Sequence, residues 1–107
     1  MKKIFDRMLS ISTQELHSKI ANKEEIILID VREPHEHELF NIGGLLIPFG
    51  SVFENISLIP KDKPVIIYCQ KGIRSQIIIQ RLQEKFPFSN LFNLVGGTEV
   101  WKKQFVV

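Results

Sequence analysis

Cysteine occurs once in this 107-residue chain, so an intramolecular disulfide is excluded and a reducing compartment is the simpler setting. Long apolar runs are missing as well. None approaches the roughly 18 residues of a membrane span, and the basic start Met1-Lys2-Lys3 is interrupted by Asp6 and Arg7 before any stretch of signal-peptide length. The sequence reads as cytoplasmic, with no membrane partner. Charge of one sign is lacking too: 14 Lys and Arg against 12 Asp and Glu leave a net charge of +2. That is too balanced for a nucleic-acid partner, which needs clustered basic residues. Of the three histidines, His35 and His37 are two apart on an expected helix and do not share a face; no zinc-spaced cluster accompanies them. Neither a metal nor a cofactor is expected, and these two histidines are assigned to a solvated acidic helix. Repeats, linkers and low-complexity segments are absent, and the length bounds residues 1–107 to one domain with one core.

What is present is hydrophobic patterning. Ile26-Ile-Leu-Ile29 and Val65-Ile-Ile-Tyr68 are continuous apolar runs of strand length, the pattern of strands buried on both faces. Helical segments separate them, so the sequence predicts an α/β fold with a parallel sheet. Ser12-Thr-Gln-Glu15 has capping-box spacing and opens a helix over 13–22, with an apolar stripe of Leu16, Ile20 and Ile11. Pro34 starts a short helix to about Phe40 with Glu36 and Glu38 exposed. Leu45 to Ile47 reads as a short strand, and Val52 to Ile59 as a helix that Pro60 ends. Ser75 opens a helix to about Phe86 with Ile78, Ile79, Leu82 and Phe86 on one face, stopped at Pro87. Leu91 to Val95 reads as the last strand and Thr98 to about Gln104 as a closing helix.

Parallel α/β sheets bind ligands beyond the carboxyl ends of their strands. Two groups fall there: Asp30 with Arg32, and Cys69 with the loop Gln70-Lys71-Gly72-Ile73-Arg74 that leads to Ser75. A loop running into a helix N-terminus turns backbone N–H groups inward and adds the positive end of the helix dipole. Lys71 and Arg74 bring two full charges, with Lys61 and Lys63 extending a positive patch around the loop. All of these favour S⁻ over SH at Cys69 and point to a reactive thiolate. The bland alternative is a buried cysteine acting as a small hydrophobe at a strand end.

Read as Cys69-Gln-Lys-Gly-Ile-Arg74-Ser75, the segment resembles the active-site loop of the rhodanese family, the persulfide-forming sulfurtransferases. Three further stretches match that family in order. Leu28-Ile-Asp-Val-Arg-Glu-Pro-His-Glu-His-Glu38 resembles its strand ending in Asp-x-Arg followed by Glu-Pro and an acidic helix. Asn41-Ile-Gly-Gly-Leu-Leu-Ile-Pro48 is similar to its Gly-His-Ile-x-Gly-Ala element, and Leu94-Val-Gly-Gly-Thr-Glu-Val-Trp101 to its Leu-x-Gly-Gly-x-x-x-Trp ending. The four segments span residues 26 to 101. Two departures stand out: the family's His is missing at Asn41-Ile42, and Leu45 replaces a small Ala, so packing at that turn must differ.

The resemblance implies a three-layer fold with a small, mostly parallel five-stranded sheet flanked by helices on both faces. It implies that Cys69 is the catalytic nucleophile, taking the outer sulfur of thiosulfate or another persulfide donor and releasing it to an acceptor. The acceptor would be a thiol such as thioredoxin, glutathione or a protein cysteine, or cyanide in vitro. Gln70, Lys71, Gly72, Ile73, Arg74 and Ser75 would bind substrate, and Asp30 and Arg32 would support the loops by hydrogen bonds. Several roles stay open on the residues alone. Arg74 either orients a donor's anionic oxygens or braces a carboxylate. Lys71 faces either donor or solvent. Ser75 reads first as the helix cap and alternatively as a donor to the persulfide. Gly72 meets a demand for positive φ, and Trp101 is core or groove lining. Two other functions compete. A cysteine-loop phosphatase or arsenate reductase is disfavoured because four residues separate Cys69 from Arg74, one fewer than a loop that wraps a phosphoryl group. A non-catalytic interaction module is disfavoured by the retained cysteine.

Overall fold

The computed structural model describes residues 8–106. Ser12 caps the first helix as its spacing demands: its hydroxyl accepts from the Glu15 N–H while the Glu15 carboxylate accepts from the Ser12 N–H. The elements in chain order are β1 (Leu9–Ile11), α1 (Thr13–Ala21), β2 (Ile27–Asp30), α2 (Pro34–Leu39), β3 (Leu45–Leu46), two 3-10 segments (Phe49–Ser51 and Phe53–Leu58), β4 (Val65–Tyr68), α3 (Ile73–Lys85), β5 (Leu91–Leu94) and α4 (Gly97–Phe105). The five strands pair in the order β1-β5-β4-β2-β3, and every pair is parallel.

The central strand β4 is buried along its whole length, and its alternating side chains feed two cores. Val65, Ile67 and then Cys69 join Ile29, Val31 and the α3 residues Ile78, Ile79 and Leu82 on one face. Ile66 and Tyr68 join Ile11, Leu16 and Leu94 on the other, with Trp101 of α4 packed against them. Helices thus cover both faces, α3 and the 3-10 segments on one, α1 and α4 on the other, giving the three layers expected. The two edge strands are short, which limits the unpaired backbone they expose.

Four expectations are corrected. β1 falls in a stretch read as leading into the first helix, with Ile11 on the helical stripe; Ile11 is instead a strand residue, paired with Leu94. Ile20 does not complete that stripe and is exposed. The helix expected over 52–59 is 3-10, because Asn55 donates its side-chain amide to the Ser51 carbonyl at 2.8 Å. That carbonyl is the one an α-helical Asn55 N–H would use, so the N–H turns to Val52 O instead. Finally, α3 starts two residues before Ser75, with Gly72 as its N-cap at φ 86°.

Candidate active site

Cys69 is the first residue beyond β4, 1% exposed, at the floor of a cavity of about 250 Å³ lined also by Gln70, Lys71, Ile73 and Arg74. Five of the six sequence-expected loop residues other than Cys69 therefore surround or contact it: Gln70, Lys71, Ile73 and Arg74 line the cavity, and Gly72 donates its N–H to Cys69 Sγ at 3.1 Å. Ser75 completes the set. Its N–H reaches Sγ at 3.4 Å and its hydroxyl oxygen lies 3.3 Å away. Ser75 sits in the first turn of α3, where Gly72 and not Ser75 is the N-cap, so the expected cap is corrected and the side chain lies beside the sulfur instead.

The loop holds this shape because its carbonyls are taken from outside. Thr98 N–H donates to Cys69 O at 3.0 Å and Glu99 N–H to Gln70 O at 2.9 Å, so the otherwise orphan donors of α4's first turn draw the loop carbonyls outward. This leaves the inward side to N–H groups. The approach is close enough to require glycine: a Cβ on Gly97, at φ 59°, would stand 2.3 Å from Cys69 O. The Gly-Gly of the closing segment is thus the seat of the Cys69 loop.

Asn93 carries the inner side of the cradle. The Ser75 hydroxyl donates to Asn93 Oδ1, and Asn93 Nδ2 donates to Gly72 O at 3.2 Å. Asn93 was not singled out from the sequence, although a buried amide inside the apolar strand Leu91-Phe-Asn-Leu94 is a signal, since such a group needs partners.

Arg74 lies in the first turn of α3 and forks onto Glu36, with Nη1 on Oε1 and Nη2 on Oε2, both at 2.9 Å. Glu36 is therefore a half-buried partner of the loop rather than an exposed charge of α2. The guanidinium drives its carboxyl down to about 2, and the carboxylate in turn holds Arg74 more firmly protonated than usual. Lys71 is exposed and makes no ion pair among the described residues. Lys61 and Lys63 precede β4, at the end of the strand opposite Cys69, where Lys63 pairs with Glu25 at 3.2 Å and Lys61 lies 5.5 Å over the Phe88 ring. The positive patch at the loop is thus reduced to Lys71 and Arg74.

Asp30 and Arg32 do not line the cavity and are tied to each other and to the Phe40 carbonyl. Arg32 donates its backbone N–H and Nε to Asp30 Oδ1 at 2.9 and 3.0 Å, and Nη2 to Oδ2 at 2.8 Å and to the Phe40 carbonyl. His37 departs from its solvated assignment: Nδ1 lies 2.8 Å from Asp30 Oδ2. The turn without the family's histidine is closed by other groups. Asn41 Nδ2 donates to His37 O at 2.9 Å, Ile42 N–H to the Tyr68 hydroxyl at 3.2 Å, and that hydroxyl to Gly43 O at 2.9 Å. No group of three or more metal-ligating side chains gathers among the described residues, nor is any helix there long and apolar enough to cross a membrane. Trp101 packs half-buried against Phe105 and His17.

The thiosulfate sulfurtransferase GlpE of Coxiella burnetii is 34% identical over 85 residues, 78% of each chain. A sulfurtransferase of Allochromatium vinosum is 32% identical over 94 residues, 87% of each chain. The crystal structure of a rhodanese-like domain protein from Staphylococcus aureus superposes with a TM-score of 0.79 at 27% identity, covering 88% of this chain and 91% of that one. The family model for the rhodanese-like domain matches residues 12–104, which takes in both the Asp30–Arg32 brace and the Cys69 cradle. The chain belongs to the rhodanese-like domain family.

Proposed function

We propose that the protein is a sulfurtransferase that carries sulfane sulfur as a persulfide on Cys69, from thiosulfate or a persulfide donor to a thiol acceptor. The carrying observation is the pair of N–H groups, Gly72 and Ser75, on Sγ at the floor of a cavity open to a small donor. In the first half-reaction the Cys69 thiolate attacks the outer sulfur. A new S–S bond forms, the donor's S–S bond breaks, and sulfite leaves with the electron pair. In the second, an acceptor thiolate attacks the terminal sulfur and Cys69 leaves as thiolate. The two donors on Sγ favour the Cys69 thiolate, as nucleophile in the first step and as leaving group in the second, and the covalent persulfide between the steps makes the kinetics ping-pong. Both relatives above are named sulfurtransferases, which supports the reaction class. The Glu36 carboxylate in the Arg74 fork counts against a phosphate substrate.

The test is intact mass of the wild type and of Cys69→Ala after exposure to thiosulfate, and separately to glutathione persulfide, without reductant. Gain of one sulfur on the wild type alone, removed by cyanide as thiocyanate, is the expected result. No gain from either donor would replace the enzyme with a non-catalytic interaction module on the same fold.

A further inference from the structure

Persulfide transfer through Cys69 gives Glu36 no task, yet among the described residues Glu36 is the one carboxylate tied to the Cys69 loop. Its two oxygens take both terminal nitrogens of Arg74 at 2.9 Å, and Oε1 also accepts from the Glu33 N–H at 3.0 Å, which fixes it on α2. Arg74 meanwhile forms part of the wall of the Cys69 cavity. The fork that would receive the oxygens of an incoming anion is therefore already filled by an internal one.

We propose that Glu36 is a specificity-determining residue: by holding the Arg74 fork it sets the site against donors whose charge sits on oxygens beside the transferred sulfur, such as thiosulfate, and in favour of hydropersulfides, RSSH. The inference rests on the persulfide reading above. A thiosulfate dianion must displace Glu36 or approach a cation already neutralised, with Lys71 the one other cation lining the cavity, unpaired among the described residues. A hydropersulfide has no such oxygens. When the Cys69 thiolate takes its outer sulfur, the new S–S bond forms, the old one breaks and RS⁻ leaves with the pair, so no oxyanion requires a seat. The carboxyl stays ionised at any ordinary pH, because Arg74 holds it down to about 2. α2 buries none of its own side chains, so the clamp is held by polar ties rather than by packing.

The test separates binding from turnover. Thiosulfate affinity is measured by NMR titration of Cys69→Ser, of Glu36→Gln and Glu36→Asp in that background, and of Glu36→Gln with Arg74→Met. Freeing the fork tightens the dissociation constant by about tenfold, and the added Arg74→Met abolishes the gain. With Cys69 intact, Glu36→Gln raises kcat/KM for thiosulfate relative to glutathione persulfide by a similar factor, mostly through KM. Unchanged thiosulfate affinity in a folded Glu36→Gln or Glu36→Asp protein overturns the proposal. Failure of both donors to load wild-type Cys69 would defeat the persulfide reading instead, and the binding series would still decide the role of Glu36.

Discussion

Asp30 shows what a single buried charge commits its neighbours to. It is fully buried, Arg32 is 3% exposed, and the two share four hydrogen bonds, with His37 adding a fifth contact from α2. Removing one partner of a buried ion pair strands the other in a low-dielectric setting, at a cost of about 3–5 kcal/mol. Asp30→Asn keeps the shape and an acceptor for the Arg32 N–H but removes the charge. Urea denaturation is expected to show a loss of that size, while sulfur loading per folded molecule persists; collapse of loading without loss of stability would instead place Asp30 in the chemistry. The sequence disclosed this pair through its position at a strand end. It did not disclose Glu36 or His37 as partners, because an acidic helix that reaches a loop far along the chain looks, locally, like one that faces water.

Among the elements, α4 matters to the site although it contributes no side chain to the cavity. Its first turn takes the carbonyls of Cys69 and Gln70, and Gly97 permits the approach. Gly97→Ala would press a Cβ into Cys69 O and place a side chain at φ 59°, so the loop must move. The expected result is a destabilisation of about 1–3 kcal/mol together with a fall in sulfur loading of roughly a hundredfold, since sub-ångström displacement of a nucleophile is costly. Gly50→Ala is the control, because nothing lies within 4 Å of a Cβ there. A Gly97→Ala protein that loads at the wild-type rate would sink this account of the loop. The expected helices survive where a cap or an apolar face marks them, as at Ser12 and along Ile78, Ile79 and Leu82. They fail where one side chain competes with the backbone, as Asn55 does for Ser51 O, since propensity carries no trace of that contest.

At the scale of the whole molecule the sheet was legible in its interior and not at its edge. The runs 26–29 and 65–68 could be buried on both faces only in a parallel sheet, whereas β1 is three residues with two exposed, and only pairing with β5 makes it a strand. Tyr68 joins these levels: it ends β4, packs in the α1 and α4 core, and its hydroxyl ties down the turn before β3. Burial, then the nearby Asp30 charge, pushes its phenol up to about 12 from 10.0. A folded value above the unfolded one means that the neutral phenol stabilises the fold fully below about pH 10 and that this is lost as pH rises through about 12, for a total of about 2–3 kcal/mol. Because the chain has one tyrosine, phenolate absorbance reports Tyr68 alone. Titration of the native protein should show phenolate only near pH 12, or at the pH where the fold gives way, and near pH 10 in urea. Tyr68→Phe should lose this alkaline limb while being about 1–3 kcal/mol less stable at neutral pH, as Gly43 O and Ile42 N–H lose their partner. A native midpoint at 10 would mean that water reaches the hydroxyl, and that the turn lacking the family's histidine is not closed by Tyr68.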